Sequence, residues 1–244
     1  METILEDERL DDLKCAGLFL LQKKHGFRFG MDSVLLVAFA AEKRAARVFD
    51  IGAGSGVIPI LMSARLPSAS FDAAEIQQDI ADMARRSVHM NRLDERVNIR
   101  CADARDLPEG IPLGVYDLVT CNPPYQSLGS ALLAPDHSVR ASRAAISLTL
   151  PDVAQAAAKL LRTAGRLCVV VPAHKFLECC DAMRERRIEP KRVRLVCDRA
   201  EKPPYLALIE GMRSVRPGLA FLPPLIAHES DGSPTAALMK CYEN

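Results

Sequence analysis

Short apolar runs alternate along this chain with longer segments in which apolar residues recur every three or four positions, a pattern of strands and helices taking turns. Residues 48–51 read as a strand, 57–66 as a helix, 70–75 as a second strand and 77–91 as a helix. Residues 97–101 and 115–121 follow as third and fourth strands, and 150–161 as a further helix. Gly165 marks a turn into a fifth strand at 166–172, and a helix over 173–187 is stopped by Pro190. Residues 193–197 and 205–212 close the set. Upstream, residues 17–22 have strand-like character, and an apolar run at 34–41 has helical spacing, with Asp32 or Ser33 as capping candidates. Repeated strand–helix alternation predicts an α/β fold, a seven-stranded mostly parallel sheet between two helical layers.

The first strand breaks into glycines at alternate positions, Gly52, Gly54 and Gly56, before its helix begins. Glycine is required where the backbone takes positive φ or a ligand comes close, and the following helix offers unpaired N–H groups. A nucleotide-like ligand is expected. The dinucleotide fingerprint wants glycines at first, third and sixth places, and Val57 or Pro59 would fill the sixth, which argues against NAD and FAD. Glu75 ends the second strand at 75 − 50 = 25 residues beyond Asp50, near the roughly 20 at which such folds place an acid for the ribose hydroxyls. A carboxylate suits that task, having two acceptor oxygens and no donor.

Composition narrows the class. The 244 residues are 49% hydrophobic with net charge +1, enough for one domain with a sizeable core. No stretch is apolar for long enough to span a bilayer, and the acidic first residues have the wrong sign for a signal peptide, so a cytoplasmic protein is expected. Eight cysteines include no C-x-x-C pair, and buried reduced thiols without a metal are the expectation. Bases gather at Lys23, Lys24 and Arg28, at Arg140 and Arg143, and from Arg184 to Arg194, where phosphates could be held or a helix end merely solvated.

The glycine turn after Asp50 resembles the first motif of class I S-adenosylmethionine-dependent methyltransferases, whose turn passes under the cofactor's amino-acid end. That resemblance implies a Rossmann-like sheet with a final hairpin, and a cofactor site drawn from Asp50, Gly52, Gly54, Gly56, Glu75, Asp103, Ala104 and Asn122. Asp103 sits where such enzymes place an acid for the adenine amino group. After the fourth strand comes Asn122-Pro123-Pro124-Tyr125, which resembles the motif of methyltransferases that modify planar amino groups. The residue types fit that chemistry. A conjugated amine is a poor nucleophile because its lone pair is delocalised. Accepting its hydrogens on the Asn122 side-chain oxygen and the Pro123 carbonyl favours a pyramidal nitrogen, and Tyr125 can stack on the base. Residues 126–147 are polar, long for a connection, and carry Arg140 and Arg143, which with Arg28 are the candidate RNA contacts.

From the acidic leader to Leu222-Pro223-Pro224-Leu225 the chain resembles bacterial tRNA adenine-N6 methyltransferases acting on a valine tRNA next to the anticodon. The likeness implies tRNA as partner, no membrane and no metal, with a monomer as the expected state. It divides the chain into an extension over the cofactor pocket (1–46), a methyltransferase domain (47–215) and a tail (216–244). Residues 27–33 are the expected lid. Two positions depart from that family: Gln126 stands where a second aromatic is common, and Ala144 and Ala145 where a His-Glu pair is. A protein glutamine-amide or ribosomal guanine-N2 methyltransferase remains open, as does an inactive RNA-binding relative.

Overall fold

The computed structural model of the chain describes residues 4–25, 29–123 and 148–243. An antiparallel hairpin, β1 (Glu8–Asp12) and β2 (Phe19–Lys23), leads to helix α1 (Met31–Ala40). Then follow β3 (Arg47–Ile51), α2 (Val57–Arg65), β4 (Ser70–Glu75), α3 (Gln78–Met90), β5 (Val97–Cys101) and β6 (Tyr116–Cys121). The chain continues through α4 (Leu150–Leu160), β7 (Leu161–Pro172), α5 (Phe176–Glu185), β8 (Ile188–Cys197) and β9 (Pro204–Arg213). It closes with β10 (Ala220–Phe221), β11 (Leu225–Ile226) and α6 (Ala236–Tyr242).

The main sheet runs β5-β4-β3-β6-β7-β9-β8, with β10 and β11 both beside β8. Strands β3 to β7 are parallel, and β9 is antiparallel to both neighbours. The seven longer strands are the ones the sequence pattern anticipates, and two-residue β10 and β11 extend them from the tail.

Successive side chains on a strand point to opposite faces, and the core divides accordingly. Val48, Leu118, Cys168 and Leu208 join the cluster under α1, α2, α3 and α6, while Phe49, Val119, Val169 and Ile209 join the one under α4 and α5. Strands covered on both sides read as continuous apolar runs, which is why β3, β6 and β7 lack polar alternation. Tyr116 is fully buried, packs edge-on to Phe49 at 5.2 Å between centroids and donates its hydroxyl to Asp72 at 2.8 Å.

The C-terminal end of α1 is fixed by charge. Glu210, on β9 and fully buried, accepts from Lys43 (2.6 Å), Arg166 (3.0 Å) and Arg192 (2.9 Å). Arg166 also donates to the carbonyls of Ala40 (3.2 Å) and Lys43 (3.1 Å), satisfying the helix end while complementing its dipole. Burial alone would raise the Glu210 carboxyl, but the bonds from Arg192, Lys43 and Arg166 outweigh it and hold the group at about 2. The leading hairpin is bolted to α3: Arg86 grips Glu8 with both terminal nitrogens (2.8 and 2.5 Å), and the Leu21 N–H donates to Ser87 Oγ at 3.0 Å.

Three local expectations change, and one strand is new. Gly30, not Asp32 or Ser33, caps α1, and its two polar neighbours fall in the helix's first turn. The β1 strand carries no sequence signal strong enough to anticipate, because its pattern is mostly charged. Gly165 lies inside β7 rather than at a turn, in a place where a Cβ would come within 2.8 Å of the Tyr116 carbonyl. Pro190 lies inside β8, at a register shift between Pro190 and Arg192 where the missing N–H is tolerated.

Candidate active site

Strands β3, β4, β5 and β6 all deliver their C-terminal residues to one edge of the sheet. The connection after β3 leads outward to β4, whereas β6 lies on the other side of β3, so the strand order reverses between β3 and β6. Ligands of open α/β sheets bind at such a point. The register pairs Asp50 with Thr120 and Ile51 with Cys121, so Gly52 and Asn122 face each other one step beyond the last pair.

Gly52, Gly54 and Gly56 all hold positive φ (71°, 53° and 83°). At Gly56 a Cβ would also press on Ala84 at 3.3 Å, so both conformation and space demand glycine there. At Gly54 an added Cβ would meet nothing within 4 Å, which leaves open space beside the bend. Glu75, nearly buried, takes the Gly54 N–H at 2.9 Å on one oxygen and the Gln77 N–H at 2.9 Å on the other. The Gln77 side-chain amide also donates to that second oxygen at 3.4 Å, so the oxygen bonded to Gly54 is the one with a lone pair left for a hydroxyl.

Asp50 is 1% exposed and accepts from the Thr120 hydroxyl at 2.6 Å on one oxygen, while the other has no partner among the described residues. Burial raises this carboxyl to about 7, against the lowering bond from Thr120 and with a further upward push from the Glu75 charge. An orphaned, buried acceptor beside an open cradle is a place for a donor that the ligand brings.

Asn122 is half-buried, and its amide nitrogen donates to Asp32 Oδ2 and Ser33 Oγ, each at 3.1 Å. Pro123 beside it is buried. Cys121 beneath them is fully buried, and burial pushes its thiol well up, so it is no nucleophile.

Other expected site residues are placed differently. Asp103 turns both carboxylate oxygens to Arg105, whose Nη2 lies at 2.7 Å, so its carboxylate is already engaged. Ala104 is buried in the core cluster under α4. Arg28, Tyr125, Arg140 and Arg143 lie outside the described residues, as do Gly26, Phe27 and the stretch 124–147. The Arg184–Arg194 cluster is spread along the outer strand β8: Ile188 pairs with Arg213 at the far end of the sheet, while Arg192 and Arg194 pair with Glu210 and Leu208 further along. Within that cluster Arg192 is spent on Glu210 and Arg194 reaches Glu42 at 3.1 Å, so these bases do not form one patch aimed at the glycine bend. The contact of Asp32 and Ser33 with Asn122 was missed because it spans 90 residues of sequence. Its trace is two polar residues at the head of an apolar helix.

Comparison with known proteins decides the family. The profile of the methyltransferase small domain matches residues 28–189, about two thirds of the chain. The chain belongs to that family. A tRNA1(Val) (adenine(37)-N6)-methyltransferase of Parabacteroides distasonis is 31% identical over 77% of this chain and 77% of its own length. One of the same name from Yersinia pseudotuberculosis is 34% identical over 66% of this chain and 63% of its own length. Among solved structures, a predicted O-methyltransferase from Agrobacterium tumefaciens superposes with a TM-score of 0.71 at 24% identity, covering 86% of this chain and 95% of that one. That likeness shows the Rossmann-like fold.

The methyltransferase uses S-adenosyl-L-methionine, and the site fits that group. The open space at Gly54 offers room, Asp50 an acceptor without a donor among the described residues, and Glu75 a lone pair at the strand end. Among the described residues no cluster of His, Cys, Asp or Glu is arranged to hold a metal, and no helix is long and apolar enough to cross a membrane. Of the eight cysteines, Cys101 and Cys241 are half-exposed and the others buried.

Proposed function

We propose that this enzyme methylates the N6 amine of an adenine in a tRNA, near the anticodon. The observation that carries the reading is the register that sets Asn122 opposite the glycine bend, at the mouth where the strand order reverses. The motif Asn122-Pro123-Pro124-Tyr125 supports an amine as target, and the names of the Parabacteroides and Yersinia relatives support adenine in tRNA.

When bound, the cofactor supplies a sulfonium methyl carbon, to which the amine nitrogen bonds as the carbon–sulfur bond breaks. Asn122 Oδ1 accepts one amine hydrogen and the Pro123 carbonyl the other, which holds the lone pair out of conjugation. Tyr125 stacks on the base, worth about 1–3 kcal/mol, and helps offset the cost of unstacking it. Asp50 and Glu75 would hold the cofactor's donors, and positioning of the two reactants would supply most of the acceleration. The proton lost from the product nitrogen passes to water, so no strong base is required. Arg28, Arg140 and Arg143 contact RNA phosphates in this reading.

The test is transfer of labelled methyl to tRNA, ribosomal RNA or release factor offered separately, with the modified residue identified after digestion. N6-methyladenosine from tRNA is expected; methylguanosine or methylglutamine would replace the proposal. Asn122→Ala should lower turnover by about 10²-fold or more with cofactor affinity nearly unchanged, and full retained turnover would remove Asn122 from its role.

A further inference from the structure

Helix α1 touches the catalytic motif through two side chains, and their hydrogen-bonding capacity limits what Asn122 can do. Asp32 Oδ2 and Ser33 Oγ each lie 3.1 Å from the Asn122 amide nitrogen. A carboxylate can accept but not donate, so the end of the amide that faces it is the NH₂ end. The Asn122 oxygen is thereby turned away from α1.

The carboxylate itself is held in place. Its other oxygen accepts the Ser33 N–H at 2.9 Å, and Ser33 is only 2% exposed. Gly30 makes room for it: a Cβ there would stand 2.9 Å from Asp32 Oδ1, although φ at Gly30 is −112° and would suit any residue. At its other end the helix is tied to the Glu210 cluster through Arg166 and Arg192. The Asp32–Asn122 contact is therefore supported along the whole length of α1.

We propose that Asp32, assisted by Ser33, is a positioning residue that sets the polarity of the Asn122 amide, so that an acceptor oxygen and not a donor meets the target amine. The proposal rests on the reading that the substrate is an amine whose hydrogens must be accepted. The charge adds to the geometry: an amide that donates to a carboxylate is polarised, and its oxygen becomes a stronger acceptor.

The decisive variant is Asp32→Asn, which keeps size and shape. Its single oxygen stays with the Ser33 N–H, so an NH₂ group faces Asn122. Asn122 then satisfies that donor by turning over, with the Ser33 hydroxyl donating to the same oxygen. Two NH₂ groups would then oppose each other across the substrate gap. The expected result is a kcat lower by about 10²-fold, with cofactor affinity close to wild type and a melting temperature only slightly lower, because the first turn loses one favourable negative charge but keeps its packing. In the ¹⁵N spectrum the Asn122 side-chain amide, assigned by its absence in Asn122→Ala, should shift in Asp32→Asn. Asp32→Glu, which restores a pure acceptor, should recover part of the rate and carries the test if the first variant does not fold. Wild-type kcat in Asp32→Asn with an unmoved amide resonance would overturn the proposal. If instead wild-type enzyme methylates something other than adenine, the functional reading fails while the resonance still reports the polarity of Asn122.

Discussion

Asp50 and Glu210 are carboxylates buried on the same face of the same sheet, and the chain treats them in opposite ways. Around Glu210 it supplies Lys43, Arg166 and Arg192, and the group is held at about 2. Around Asp50 the described residues supply one hydroxyl and leave an oxygen bare, and the group rises to about 7. Burying a charged group is costly unless its bonds are completed. The completed acid belongs to the fold, fastening β7, β8, β9 and α1 together. The incomplete one we propose for binding, its missing donor arriving with the cofactor.

Breaking the completed acid should have the largest effect. Glu210→Ala leaves the buried Arg166 guanidinium without a counter-charge and Arg192 with Glu42 alone, and should cost about 3–5 kcal/mol, read from the urea midpoint. Its contribution is present above the unfolded value of 4.5 and drains away as pH falls toward about 2, since the folded value is the lower one. At Asp50 the contrast should invert. Asp50→Asn should fold as well as wild type or better, while its cofactor affinity drops by about tenfold or more in a calorimetric titration. The signs follow from the raised value: ionising Asp50 costs the cofactor-free protein stability as pH climbs from 3.8 through about 7, and Asp50→Asn should flatten that slope. If the arriving donor is cationic, wild-type affinity should rise about fivefold between about pH 6 and 7, following the ionised fraction. The smallest effect belongs to Asp103, whose pair with Arg105 is about one-third exposed. Asp103→Asn should change stability by less than about 1 kcal/mol, and a large loss of cofactor affinity would show that the acid turns from Arg105 to the ligand.

Much of this was legible in the chain. The glycine bend, Glu75 at the end of its strand and Asn122 after β6 are short-range patterns, each set by local backbone requirements. The inner strands β7 and β9 were legible from the unbroken apolar runs 167–171 and 205–209, as expected of strands covered on both faces. What could not be read are pairings fixed only by tertiary packing. Glu210 resembles any acid in a strand until Arg166 and Arg192 are brought beside it, and Asp32 resembles a helix cap until β6 places Asn122 over it. The tail carried no motif, yet Leu225, Ala227 and Leu238 are buried in the cluster beneath α1. Pro190 and Gly165 misled for the opposite reason: their usual local meaning gave way to a register shift and to a close backbone approach.

The bond from the Gly54 N–H to Glu75 has a cost-saving consequence for turnover. It shapes the bend before any cofactor arrives, so little backbone freedom is surrendered on binding. A cradle prepared in advance cannot tell a charged sulfonium from a neutral thioether by closing around one of them. The demethylated product should therefore compete well for the same seat, and discrimination between fresh and spent cofactor falls to whatever senses the charge on sulfur.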